Sequence, residues 1–205
     1  MAAGASRLRV IVTGLIAQYP LGGVTWDYVQ YAVGLAKLGH DVFYVEDTGQ
    51  WPYSPAEDGL TDDPSYNVGV LANVMERFGL GQRWAYRFPR TGEWFGLDDT
   101  RRNEVIRSAD LLINVSGTVA KPEEYRAAQR LAYIDTDPVF TQVKIARGQT
   151  DLRRAVDQHD THFSFGERIA AFEPSTGHTW QRRASRWCSR SGRPQTRPPA
   201  RRSRR

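Results

Sequence analysis

The residue types best suited to chemistry sit where apolar runs end. Glu46-Asp47 closes the run that begins at Asp41, Ser116-Gly117 follows Leu111 to Val115, and Asp135-Thr136-Asp137-Pro138 follows Leu131 to Ile134. An Asp-x-Asp pair offers hard oxygen donors of the sort that hold a divalent cation against a diphosphate. The same letters also spell a helix start, with Asp137 as the cap and Pro138 in the first helical position, and no metal is expected from so short a motif. Ser116-Gly117 would bring backbone N–H groups to the end of a buried strand, where they can hold a hydroxyl or a phosphate. An ordinary tight turn from strand to helix accounts for the same two residues. Ahead of both, Pro20-Leu21-Gly22-Gly23 supplies two adjacent residues without a Cβ, a turn in which positive φ and close approach to a ligand are open to the backbone.

Elements that would position these residues follow from periodicity. Leu8 to Gly14 reads as a short buried strand, and Val24, Tyr28, Tyr31, Ala32, Leu35 and Leu38 recur at helical spacing before Gly39, which suits a left-handed cap. Asp41 to Asp47 is a second strand, so the opening is a βαβ unit of right-handed crossover. Open α/β sheets take ligands outside the carboxyl ends of their strands, where the polar residues fall. Thr48 to Pro64, with three prolines, reads as a long irregular loop in which Trp51 and Tyr53 either pin the loop or line a cleft. Helices are expected over Tyr66–Phe78, from Asp98-Asp99 to Ser108, and from Pro122 to Arg130. Strands are expected over Trp84–Phe88, Asp110–Val115, Leu131–Asp135 and His162–Gly166. Phe140, Val143 and Ile145 fit a further helical segment loosely. Alternation of this kind over residues 7 to 175 means an α/β, doubly wound, Rossmann-like parallel sheet covered on both faces.

The chain of 205 residues is of one-domain length, and its formal charge of +5 is unevenly spread. Residues 181–205 carry ten arginines and no acid, so of 28 basic residues 18 remain against 23 acidic ones in the rest, a net of −5. Nucleic-acid binding is therefore not expected of the folded part. One cysteine, Cys188, excludes an internal disulfide framework, and no Cys/His spacing suggests zinc. With no run of transmembrane length and no cleavage site after Ala17, a cytoplasmic setting is expected. The expected organisation is a disordered 1–6, one domain over 7–180, and a disordered Arg/Pro/Ser-rich tail over 181–205.

Several stretches together resemble a known family. Pro20-Leu21-Gly22-Gly23 with Leu35-Ala36-Lys37-Leu38-Gly39-His40-Asp41-Val42 resembles the opening of glycosyltransferases of the GT-B fold, of the family 1 or 4 type. Tyr133-Ile134-Asp135-Thr136-Asp137-Pro138, Phe163-Ser164-Phe165-Gly166-Glu167 and Gly177-His178-Thr179-Trp180 look like later parts of the same lobe. The resemblance covers about residues 7 to 180. It implies the first of two Rossmann-like lobes, an acceptor bound mainly by this lobe, and a nucleotide-sugar donor held mainly by the other, with no further cofactor. It carries onto Gly22 and Gly23 as residues facing the cleft between lobes; Ser116 and Gly117 are added as substrate contacts from their place at a strand end. A base in this half would be a carboxylate or imidazole near the cleft, and Asp27, Glu46, Asp47, Asp135 and His162 qualify by position. The paired glutamates of the donor lobe have no counterpart, because no Glu has another eight positions on.

The tail then has two readings. It is a basic arm for nucleic acid or an acidic membrane, or it is a frameshift product. Ser185-Arg186-Trp187-Cys188-Ser189, encoded AGC CGG TGG TGC TCG after a C, reads Gln-Pro-Val-Val-Leu in the neighbouring frame, like the first strand of a second lobe. The frameshift is the preferred reading, since basic arms usually mix lysine with arginine and this chain has 25 arginines against 3 lysines. The expectation is an acceptor-side transferase lobe, inactive alone and prone to self-association through its exposed lobe interface. The alternatives are a self-contained nucleotide-binding enzyme and a non-enzymatic module working through the tail.

Overall fold

A computed structural model describes residues 6–166 and 175–182. The apolar runs form an eight-stranded sheet in the order β10-β9-β8-β7-β1-β2-β5-β6. These strands are β1 (Arg9–Thr13), β2 (Asp41–Glu46), β5 (Trp84–Arg87), β6 (Trp94–Gly96), β7 (Leu111–Val115), β8 (Leu131–Asp135), β9 (Thr161–Ser164) and β10 (Trp180–Arg182). Every pairing is parallel except that of β5 with β6. The chain moves outward from β1 through β2 to β5, then returns to β7 on the other side. A topological switch point therefore lies between β1 and β7, the crevice at which doubly wound sheets take ligands.

Alternation along the strands divides the core into two layers. Val10, Val12, Val42, Tyr44 and Ile134 face helices α1 (Gly22–Lys37) and α2 (Ser65–Arg77), whose Tyr28, Val29, Ala32, Leu71 and Met75 they bury. Ile11, Phe43, Val45, Leu112 and Leu131 face the opposite way, toward Val105 of helix α3 (Asp99–Ser108) and Tyr125. On that second face Tyr133 packs with Ile145 of α4 (Phe140–Ala146) and Val156 of α5 (Thr150–Asp157). The architecture is mixed α/β with a largely parallel sheet flanked by helices, compatible with a Rossmann-like fold.

Gly39 takes φ +92° after α1, as its place required, and Asp98 caps α3 by accepting from Arg101 N at 2.7 Å. Elsewhere the structure corrects the sequence. The segment 48–64 is not wholly irregular, since β3 (Tyr53–Ser54) and β4 (Gly59–Leu60) pair antiparallel. Trp94–Gly96, in a turn-rich stretch, is an edge strand antiparallel to β5. The helix expected from Pro122 to Arg130 is one 3-10 turn, Pro122–Tyr125, with Pro122 and Tyr125 buried. Asp137 caps no helix, because α4 starts at Phe140 after Val139 at φ +81°. Trp180, Gln181 and Arg182 form an edge strand across the expected boundary at 180/181. Of the stretches 1–6 and 181–205 expected to be disordered, all but Ser6, Gln181 and Arg182 lie outside the described residues, as does Glu167.

Candidate functional site

At the carboxyl ends of β1 and β7, neutral polar groups close the switch point. Thr13 Oγ1 lies 2.8 Å from Thr118 Oγ1 and 3.2 Å from Asn114 Oδ1, and it accepts from Val115 N at 3.2 Å. Asn114 Nδ2 is 3.1 Å from His159 Nε2, while His159 Nδ1 faces the carbonyls of Ala155 and Val156. A carbonyl only accepts, so Nδ1 carries the proton and Nε2 accepts from Asn114. Burial of that neutral ring pushes its pKa down to about 4. In the sequence only a threonine ending β1 and an asparagine inside an apolar strand mark these residues.

Glu46 and Asp47 end β2, and alternation sends them to opposite faces. The Glu46 carboxylate, fully buried beneath α1 and α2, accepts from Ala17 N at 2.9 Å, Gln18 N at 2.6 Å and the Tyr44 hydroxyl at 2.9 Å. Burial raises its pKa to about 7 against the opposing pull of those donors. Asp47, on the other face, accepts from the Tyr125 hydroxyl at 2.9 Å and pairs with Arg87 at 3.5 Å. Burial and the neighbouring Asp47 charge push the Tyr125 hydroxyl well above the ordinary tyrosine range.

Asp135 is similarly committed. Its carboxylate accepts from Thr141 Oγ1 at 2.9 Å, Gln142 Nε2 at 2.8 Å, Ser164 Oγ at 3.0 Å and Asp137 N at 3.3 Å. It ties β8 to α4 and β9, and no group of three or more metal-ligating side chains exists among the described residues. Ser116 and Gly117 take φ +59° and +66°, and Ser116 Oγ lies 2.6 Å from Thr136 Oγ1. A Cβ on Gly117 would meet the Tyr133 ring at 2.9 Å, so this glycine is required by packing whatever else it contacts. The Tyr28 hydroxyl also engages the Ser116 side chain, and burial raises its pKa.

The remaining candidates stand apart. Gly22 and Gly23 occupy the first turn of α1 without positive φ, exposed, with nothing within 4 Å of an added Cβ. Asp27 is exposed one turn further along α1. His162 lies within β9, three strands from β1, its Nε2 donating to Val156 O at 2.9 Å. Burial lowers its pKa. The structure thus gathers Glu46, Asp47, Ser116, Gly117 and Asp135 at one sheet edge and leaves His162 outside. A cavity of about 550 Å³ lies elsewhere, lined by Phe43, Arg83, Trp84, Leu97 and Arg101 near the amino ends of β2 and β5. Its guanidiniums are already paired, Arg83 with Asp41 and Arg101 with Glu104.

The fold and its edge define an α/β protein with a doubly wound, mostly parallel sheet. Set against protein-family models, curated proteins and solved structures, the chain matches none.

Proposed function

We propose that residues 7–180 form the acceptor-side lobe of a two-lobe sugar transferase, working on a nucleotide-sugar donor held by a second α/β body. What supports the reading, beside the resemblance of the strand–turn–helix opening, is the distribution of exposed apolar side chains. Leu21, Trp51, Leu60, Tyr66, Val139 and Phe140 are 42–63% exposed, and all six belong to segments that follow the carboxyl ends of β1, β2 and β8. Two further exposed apolar side chains, Trp26 and Leu38, lie on α1 and just past its end, so six of the eight among the described residues fall on these segments, as on a surface that something else covers. The candidate carboxylates Glu46, Asp47 and Asp135 at that rim are held in internal networks, so the donor's contacts come from the covering body. Positioning two substrates between two bodies supplies much of the rate in such reactions.

Asp27 is the one exposed carboxylate among the candidates and is the base in this reading. The test is to sequence the gene from codon 170 through several hundred bases downstream and translate all three frames. A second α/β lobe with a spaced glutamate pair in an adjacent frame supports the reading, and rejoining the frames should restore donor-dependent transfer that Asp27→Asn abolishes. Absence of such a frame, together with saturable nucleotide binding by the 205-residue chain alone, favours the self-contained enzyme instead.

A further inference from the structure

Two consecutive backbone amides after β1, those of Ala17 and Gln18, point at one spot, and an anion occupies it. The anion is the chain's own Glu46 carboxylate, 2.9 Å and 2.6 Å away. These peptides are also clamped from behind. Asn67 Nδ2 of α2 donates to Ala17 O at 2.7 Å, and Tyr53 N donates to Gln18 O at 2.8 Å. Tyr44 adds a third donor to Glu46 while its hydroxyl oxygen accepts from Ile16 N at 3.2 Å. Gly14, ahead of the turn, is closely packed, since a Cβ there would meet the Tyr44 hydroxyl at 2.6 Å and the Tyr28 ring at 2.7 Å.

Successive N–H groups converging after the first strand of a βαβ unit are the geometry with which such turns hold phosphate. We propose that the β1–α1 turn is an oxyanion-binding nest whose occupant is the Glu46 carboxylate, so that it admits no phosphate in the intact protein and takes a small oxyanion once that carboxylate is removed. The proposal does not depend on the sugar-transfer reading. The groups around the carboxylate suit this role, since the ionisable neighbours that feel its charge are the tyrosines Tyr28 of α1, Tyr44 of β2 and Tyr86 of β5, and no salt bridge includes it among the described residues. The nest is built from amide and hydroxyl donors, as a phosphate turn is, with its ligand supplied from the second strand.

The test uses the full chain, with the backbone amides of Ala17 and Gln18 followed by NMR and the thermal midpoint followed by circular dichroism. In wild type, inorganic phosphate and a nucleoside diphosphate should leave both amide resonances unmoved. In Glu46→Ala the midpoint should fall, and formate should restore it saturably while chloride does not, with both amides shifting along the same titration. Saturable shifts of these amides by phosphate in wild type would overturn the proposal, as would a folded Glu46→Ala indifferent to formate. If Glu46→Ala does not fold, Glu46→Gln decides. It keeps the shape but weakens the acceptor, so hydrogen exchange at Ala17 and Gln18 should quicken about 10- to 100-fold, with β1 amides unchanged. Exchange equal to wild type refutes the proposal.

Discussion

At Asp135 four donors from the β8–α4 turn, α4 and β9 converge on one carboxylate that is 1% exposed. A group so engaged has little lone-pair capacity left for a substrate proton or a cation. Asp135→Ala should therefore cost about 3 kcal/mol or more in urea denaturation, because it strands Thr141, Gln142 and Ser164 in the interior. A loss below about 1 kcal/mol would return Asp135 to the list of free catalytic carboxylates. Glu46 makes a different prediction because its folded pKa, about 7, stands above the ordinary 4.5. The unfolded chain then ionises first as pH rises, so folding loses stability between about 4.5 and 7 and changes no further above that. The loss is on the order of 3 kcal/mol. Measured as the difference between wild type and Glu46→Gln, stability should decline across that window; a flat difference would show that the three donors hold the carboxylate at its ordinary pKa. His159 works in the opposite direction, since its pKa is pushed down to about 4 and stability is lost as pH falls from 6.5 toward that value.

The turn between β1 and α1 shows how far an element can be read from its residues. Strand, helix, second strand and the Gly39 cap follow from apolar period and one glycine, and they stand within a residue or two of where the sequence places them. The glycines of the turn itself are a different matter. Gly22 and Gly23 draw attention as a pair, yet they are helical and meet nothing; Gly14, which reads as a strand end, is the one packed against Tyr28 and Tyr44. Only the folded position of Tyr28, fourteen residues away, makes Gly14 necessary, and no local pattern encodes that. The same holds for the carboxylates: Glu46, Asp47 and Asp135 are legible as polar residues at strand ends, but their partners Gln18, Tyr125 and Ser164 come from distant segments. Helix α5 escapes notice because Val156 is its one buried residue. The two kinds of glycine give opposite expectations. Gly22→Ala and Gly23→Ala should each raise stability by about 0.5 kcal/mol, by reducing the freedom of the unfolded chain at helical positions. Gly14→Ala should lower it by about 1–3 kcal/mol, the usual effect of overpacking. Thermal denaturation of the three variants settles the order, and a stabilising Gly14→Ala would mean that Tyr28 yields its place.

At the scale of the molecule, a modest acidic excess accompanies a set of exposed apolar side chains. Residues 1–180 carry 18 basic and 23 acidic side chains, and among the described residues no helix is long and apolar enough to cross a membrane. Against that acidic background the exposed apolar side chains cluster on segments at the carboxyl edge, with Phe140 at 60% and Leu60 at 63% among them. Leu38 is exposed at the other end of α1, and Trp26, also exposed, lies edge-on to Phe78 with ring centroids 5.7 Å apart. A net charge of modest size resists association weakly at physiological salt, where the screening length is about 8 Å, so the apolar rim decides the outcome. The chain alone should therefore self-associate with rising concentration in sedimentation, and more strongly as salt screens the residual repulsion. Leu60→Lys with Phe140→Lys, both exposed and neither in the buried core, should return it to a monomer without lowering its thermal midpoint. A wild-type chain that stays monomeric at moderate concentration would mean that this rim needs no cover, and with it the case for a second body over the carboxyl edge would fall.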